Sequence, residues 1–160
     1  MLAKNEKTIV MLWFDGAAEA AAAHYAKAVP GSRITSIERH GKDGPGPEGS
    51  VMVIEMEFAG RPLLLLNGGP GFKPNQSVSI TIYADDQKEV DFLWEHMSAG
   101  GSTMACGWVK DRWGFCWQIT PRRHWELMTQ GTPEVKARVF QAMLKMTKFD
   151  IAAIEAAAKG

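Results

Sequence analysis

The sequence predicts an α+β fold: two tandem βαβββ modules within a single domain over 1–160, with additional C-terminal helices. Three observations predict it. Short segments rich in β-branched and aromatic residues, bounded by Gly, Pro or Asp, alternate with two helix-patterned stretches. The order strand, helix, strands occurs twice along the chain. Asp15 and Glu19 at the first strand-to-helix junction recur as Asp85 and Glu89 at the second.

The first module covers about 8–68. Thr8–Phe14 is its opening strand, and Asp15-Gly16 leads into an Ala-rich helix to about Val29, stopped by Pro30-Gly31. Ser32–Arg39 is the second strand. Residues 41–50, GKDGPGPEGS, hold four Gly and two Pro in ten positions, so they form a loop, either a hairpin connector or a lid at the rim of a site. Val51–Phe58 sets Val51, Val53, Glu55 and Glu57 against Met52, Ile54, Met56 and Phe58, a third strand with one wet face. Ala59-Gly60 turns into Pro62–Asn67, an apolar and buried fourth strand, and NGGPGFKPNQ links the modules.

The second module covers about 77–120. Ser77–Ala84 is a strand ending in Asp85-Asp86, and Asp86 with Glu89 makes a capping-box-like helix start. Val90, Leu93, Trp94 and Met97 give the i, i+3, i+4, i+7 stripe of a helix packed on a sheet. Three short strands fit within 102–120, with Asp111–Gly114 turning between the last two. In the final segment, DRWGFCWQITP, residues Phe115, Trp117 and Ile119 share one face and Cys116, Gln118 and Thr120 the other. That second face is small and uncharged, as is the Ser79, Thr81 and Tyr83 face of the earlier strand. Such a surface suits hydrogen bonding to a polar ligand; otherwise Gln118 is a buried amide satisfied by its neighbours.

The C-terminal helices cover about 133–158. Val135, Val139, Met143 and Met146 run along one side of a helix starting near Pro133, and Asp150 caps a last helix through Ala158. With Ile151 and Ile154 they form an apolar surface needing cover, which predicts a two-fold homodimer with these helices at or near its interface; folding back over the chain's own sheet is the alternative.

Composition narrows the function classes. Lys+Arg and Asp+Glu are both 18, so no basic footprint for nucleic acid is expected. The apolar run Ile9–Phe14 is far short of the ~20 residues of a membrane span, and no leader cleavage region accompanies it. Cys106 and Cys116 lack a metal-binding spacing and read as the free thiols of a cytoplasmic protein, with no His or Lys placed to activate either. His24, His40, His96 and His124 have no partner in the sequence pattern and read as packing or surface residues. NGGPG lacks the Gly-Lys-Ser/Thr of a phosphate loop, and Pro70 and Pro74 block the helix that a dinucleotide fingerprint requires.

Five separated segments, LWFDGAAEAAAAHY, GPGPEGSVMVIEMEF, LNGGPGF, CGWVKDRWGFCWQITP and MLKMTKFDIAAIEAA, together resemble the PhnB-like branch of the vicinal oxygen chelate superfamily. That superfamily includes glyoxalase I, bleomycin-resistance proteins and extradiol dioxygenases, and the branch is often labelled 3-demethylubiquinone-9 3-methyltransferase. The resemblance runs from about Thr8 to Ala157. Pro74 and Ala105 depart from it, since relatives more often carry an aromatic at the first position and a polar residue at the second. It implies a cleft formed by curved sheets, with metal ligands, in metal-dependent members, on the first, fourth, fifth and eighth strands. Carried onto this chain, those positions are Thr8, Ser79 and Gln118, with the fourth-strand position falling within Leu64–Leu66. None of the three is His, Asp or Glu, so neither the usual metal site nor any cofactor is expected. The resemblance then implies a protein that binds a small polar molecule in the cleft, through Thr8, Asn67, Ser79, Thr81, Tyr83, Cys116 and Gln118, with no catalytic residue assigned. The alternatives are a glyoxalase- or dioxygenase-type enzyme and the methyltransferase of the family label. S-adenosylmethionine enzymes usually need a Gly-rich strand-to-helix turn on a parallel sheet, and none is visible here.

Overall fold

The computed structural model describes residues 7–160; residues 1–6, part of the N-terminal stretch read above for a leader, lie outside the described residues. The chain divides into two compact units, Met1–Pro74 and Asn75–Gly160.

The first unit runs β1 (Val10–Phe14), α1 (Ala18–Ala28), β2 (Arg33–Arg39), β3 (Val51–Phe58) and β4 (Arg61–Asn67). Its sheet has the order β1-β4-β3-β2, with β1 parallel to β4 and the other pairs antiparallel. Thr8 is not part of the first strand: it is exposed and lies two residues before the start of β1. The ladder begins at Val10 opposite Leu63, and the next β4 residue back is Pro62, which has no N–H to extend it. One sheet face carries Leu12, Phe14, Ile54, Met56, Leu63 and Leu65, all buried, as are Ala18, Ala21, Ala22, Tyr25 and Ala28 on one side of α1. Small alanines bring a helix close to a sheet, and Tyr25 meets Phe58 edge-on at 6.1 Å.

Residues 41–50 connect β2 to β3 as a hairpin, closed by His40 N–H to Ser50 O (2.9 Å) and Gly49 N–H to His40 O (2.8 Å). On β3, Glu57 pairs with Arg33 of β2 at 2.7 Å, so this carboxylate is spent on an exposed cross-strand ion pair. The connector after β4 is more than a link. Trp13 Nε1–H donates to Gly69 O at 2.8 Å, Phe72 stands edge-on to the indole at 5.1 Å, and a Cβ on Gly68 would overlap that ring.

The second unit repeats the order: β5 (Ser79–Ala84), α2 (Gln87–Ser98), β6 (Ser102–Thr103), β7 (Trp108–Lys110) and β8 (Cys116–Pro121). Its sheet is β5-β8-β7-β6, again with the first and last strands parallel. The two βαβββ modules therefore share one topology. β5 starts at Ser79 rather than Ser77, because Ser77 N–H turns back to Asn75 Oδ1 at 2.8 Å. The expected capping box forms: Glu89 N–H donates to Asp86 Oδ1 (2.8 Å) and Asp85 N–H to Glu89 Oε2 (2.7 Å). Val90, Leu93 and Met97 are fully buried. In the turn before β8, buried Asp111 accepts Trp113 N–H and Phe115 N–H on Oδ1 and the Trp117 indole N–H on Oδ2, at 2.9, 3.0 and 2.8 Å.

Three helices follow: α3 (Arg122–Gln130), α4 (Pro133–Met143) and α5 (Ile151–Lys159). The sequence pattern does not announce α3, which grows straight out of β8 without a side-chain cap or an acidic first turn. Met146 falls beyond the end of α4, so the expected four-residue stripe is shorter. Val139 and Ile154 are fully buried within this unit, where α3, α4 and α5 pack on one another. Much of the stripe thus finds its cover in the chain itself. The stretch before α5 is held by backbone: Cys106 N–H donates to Met146 O and Gly107 N–H to Thr147 O, both at 2.8 Å.

Candidate functional site

The face of the second sheet that carries Ser79, Thr81 and Tyr83 is the opposite one from Ile82, Ala84, Trp117 and Ile119, which are buried as are the inward residues of α2. The parallel register sets Ser79 beside Cys116, Thr81 beside Gln118 and Tyr83 beside Thr120. Five of the seven expected site residues therefore lie on one sheet face, on adjacent strands. A diagonal hydrogen bond ties two of them, from Gln118 Nε2–H to Ser79 Oγ at 2.8 Å. Thr81 is exposed, Ser79, Tyr83 and Gln118 are half-buried, and Cys116 and Thr120 are buried.

On the other side of β8, the antiparallel register brings Trp108 opposite Gln118 and Lys110 opposite Cys116. Neither was expected from the sequence, because β7 is only three residues long and shows no alternation to read. Burial pushes the Cys116 thiol above its ordinary range, against a smaller opposing pull from the Lys110 ammonium. A buried, protonated thiol is a poor nucleophile, so Cys116 serves this face as a small apolar side chain.

Two expected residues fall in the first unit. Thr8 lies ahead of β1, as described. Asn67 ends β4 and its amide is engaged on both sides: Oδ1 accepts the Ala18 N–H and Nδ2–H donates to Val51 O, both at 3.0 Å. It does for α1 what the Ala17 side chain at the N-cap cannot. A β4 residue capping a helix after β1 has no local signature.

At the C-terminal end of the strands the face meets α3. Arg122 and Trp125, one turn apart, both reach Tyr83: the guanidinium carbon lies 5.4 Å from the ring centroid and the indole packs edge-on at 6.0 Å. Arg122 is held there by Asp85, with Nε to Oδ1 at 2.6 Å.

The donor set does not fit the divalent cation of metal-dependent relatives. Ser79 and Gln118 offer a hydroxyl and a carboxamide already bonded to each other, and Thr8 is outside the strand. Among the described residues no three His, Cys, Asp or Glu side chains converge as a metal-binding group.

Comparison with known proteins gives the same fold. Residues 6–120 match the family model for 3-demethylubiquinone-9 3-methyltransferase. No curated protein matches the chain. A Bacillus cereus PhnB protein bearing the same methyltransferase label is 25% identical, with a TM-score of 0.67 over 72% of this chain and 99% of its own. A Pseudomonas aeruginosa protein is 20% identical, TM-score 0.62, over 73% and 98%. A Listeria monocytogenes genomically encoded fosfomycin resistance protein, FosX, is 12% identical, TM-score 0.53, over 74% and 93%. The match to the family model stops at residue 120, so α3, α4 and α5 lie beyond it.

Proposed function

Because the chain belongs to the PhnB-like, 3-demethylubiquinone-9 3-methyltransferase family of the vicinal oxygen chelate superfamily, we propose that it binds a small polar molecule on the Ser79–Gln118 face without a resident divalent metal. The observation that carries this reading is the chemistry of the face. Where a strand faces water along most of its length, as β2 does, it carries three charged residues, Arg33, Glu38 and Arg39, beside exposed Thr35 and Ile37. Here the positions on β5 and β8 are Ser79, Thr81, Gln118 and Thr120, uncharged groups that donate and accept hydrogen bonds, with Lys110 of β7 beside them opposite Cys116. Convergent neutral polar groups on a half-buried surface are how small-molecule sites fix orientation.

The two enzymatic alternatives have less support. Glyoxalase- and dioxygenase-type chemistry in the superfamily runs through a metal for which this donor set is poor. Methyl transfer from S-adenosylmethionine would need a Gly-rich turn on a parallel sheet, whereas the strand-to-helix turns here are Asp15-Gly16-Ala17 and Asp85-Asp86.

Native mass spectrometry of the purified protein, with elemental analysis, tests the reading. A co-purified organic mass that is lost in Gln118→Ala, with metal well below one equivalent, is the expected result. About one metal per chain, released by Gln118→Ala, would overturn it.

We propose further that the protein is a cytoplasmic homodimer. No helix among the described residues is long and apolar enough to cross a membrane. Phe140 and Leu144, 42% and 49% exposed, leave apolar surface on the C-terminal helices for a second copy. Light scattering that returns a monomer of 17.6 kDa would end the dimer part.

A further inference from the structure

Trp125 is the largest exposed apolar side chain of the C-terminal helices, with 55% of its surface open. A single exposed apolar residue means little; its setting makes this one informative. It stands on α3, beyond the residues that match the family, and leans edge-on against Tyr83, a member of the Ser79–Thr81–Tyr83 row. Arg122 covers Tyr83 from the same helix and is itself fixed by Asp85. The result is an indole and a phenol held at the end of a row of hydroxyls and an amide. Thr81 is two residues from Tyr83 along β5, or roughly 6.6 Å. A polar substituent one or two bonds beyond a six-membered ring lies roughly 3–4 Å from the ring centre, and a hydrogen bond of about 2.9 Å from it reaches about that far.

We propose that α3 gives the face an aromatic end wall, on which Trp125 and Tyr83 take the planar aromatic ring of a ligand whose hydrogen-bonding substituent reaches Thr81 and Gln118. This rests on the small-molecule reading of the Ser79–Gln118 face and names the class of molecule: a neutral aromatic bearing an amide, carbonyl or hydroxyl group. Arg122 positions Tyr83 and is paired with Asp85, and Lys110 lies opposite Cys116 at the far end of the row from Tyr83, so an anionic substituent is not required. An aromatic ring offset against an indole gains more than its saturated analogue of equal size, because only the flat ring matches the quadrupole of the indole.

The test uses benzamide and its ring-saturated counterpart, cyclohexanecarboxamide, each titrated at millimolar concentration into the full-length protein. Chemical shifts of the backbone amides and of the indole N–H groups are followed by NMR. The chain has six Trp, and Trp125→Phe identifies the indole signal concerned. Saturable shifts at the Trp125 indole and at Thr81 and Gln118 are expected with benzamide, with binding about tenfold weaker for cyclohexanecarboxamide and for Trp125→Ala. Trp125→Phe should restore most of that loss, and Trp125→Leu, which keeps α3 apolar, should not. Equal binding of the two amides at Thr81 and Gln118, unchanged in Trp125→Ala, overturns the aromatic wall and leaves the small-molecule reading standing. Shifts at neither Thr81 nor Gln118 with either compound overturn both. If Trp125→Ala instead halves the mass seen by light scattering and benzamide leaves the indole unmoved, Trp125 is a contact between two copies of the chain and the proposal fails.

Discussion

The ring of Phe149 lies against His124 with 4.8 Å between centroids and 47° between planes, and neither nitrogen of that buried imidazole has a hydrogen-bond partner. This contact joins α3 to the stretch before α5, two residues ahead of its start, and it makes the C-terminal helices sensitive to acid. Burial holds the imidazole pKa below its ordinary value of about 6.5. The folded protein therefore keeps His124 neutral while the unfolded chain takes up its proton as pH falls past that value. Stability from this contact is complete above pH 6.5 and is lost progressively below it, until the folded-state pKa is passed. The exposed charges around it, Arg123 with Glu126 and Glu155, and Lys148 with Asp91, are paired among themselves. Urea melts between pH 5 and 8 should show this slope in the native protein, and His124→Phe should flatten it. An unchanged slope in the variant would assign the acid sensitivity elsewhere.

Asp111 answers three N–H groups from one buried carboxylate, including the indole of the fully buried Trp117. Asp111→Ala leaves those donors without their acceptor and should cost about 3 kcal/mol in denaturant melts. Asp111→Asn keeps one oxygen for the turn but presents an NH₂ group to the Trp117 indole, so its cost should fall between that of Ala and zero. A loss under about 0.5 kcal/mol for Asp111→Ala would mean that water replaces the carboxylate without penalty.

Asn67→Ala tests whether this residue belongs to the scaffold or to a ligand. Removing the amide frees the Ala18 N–H and the Val51 carbonyl. The expected effect is a loss of about 1–2 kcal/mol of stability with ligand affinity unchanged. Weaker binding at unaltered stability would return Asn67 to the site.

Gly107→Ala should undock the C-terminal helices. The glycine has φ +79°, and a Cβ there would stand 2.5 Å from the Phe149 ring and 2.8 Å from Ile119 O. Strain of about 1–3 kcal/mol is expected, and limited trypsin digestion should open first at Lys145 and Lys148. Digestion matching that of the native protein would show that the neighbouring backbone gives way more easily than expected.

Much of this architecture is legible in local pattern. The alternation of Val53–Phe58, the helical stripe Val90, Leu93 and Met97, and the Asp86–Glu89 box each appear in the structure where the pattern puts them, whereas Val51, expected on the wet face, is buried, and Met52 and Trp94, expected to face inward, are half-buried. They are legible because hydrophobic period and capping chemistry act over a few residues of chain. The recurrence of Asp15 and Glu19 as Asp85 and Glu89 extends that to the tandem modules. Tertiary structure alone decided the rest. The seating of Ser79 beside Cys116 and of Gln118 against Ser79 depends on a parallel register between strands far apart in sequence, and no local signal encodes such a register. Thr8 lost its strand position to Pro62, a residue distant in sequence that the ladder would bring opposite its neighbour Ile9. Asn67 became a helix cap because the end of β4 lies beside the start of α1. α3 forms without cap or acidic first turn, although Arg122, Arg123, Glu126, Leu127, Met128 and Gln130 are good helix formers; at nine residues it is too short to be stable alone. It is held by Tyr83, Phe149 and the helices after it, contacts that exist only once the chain has folded.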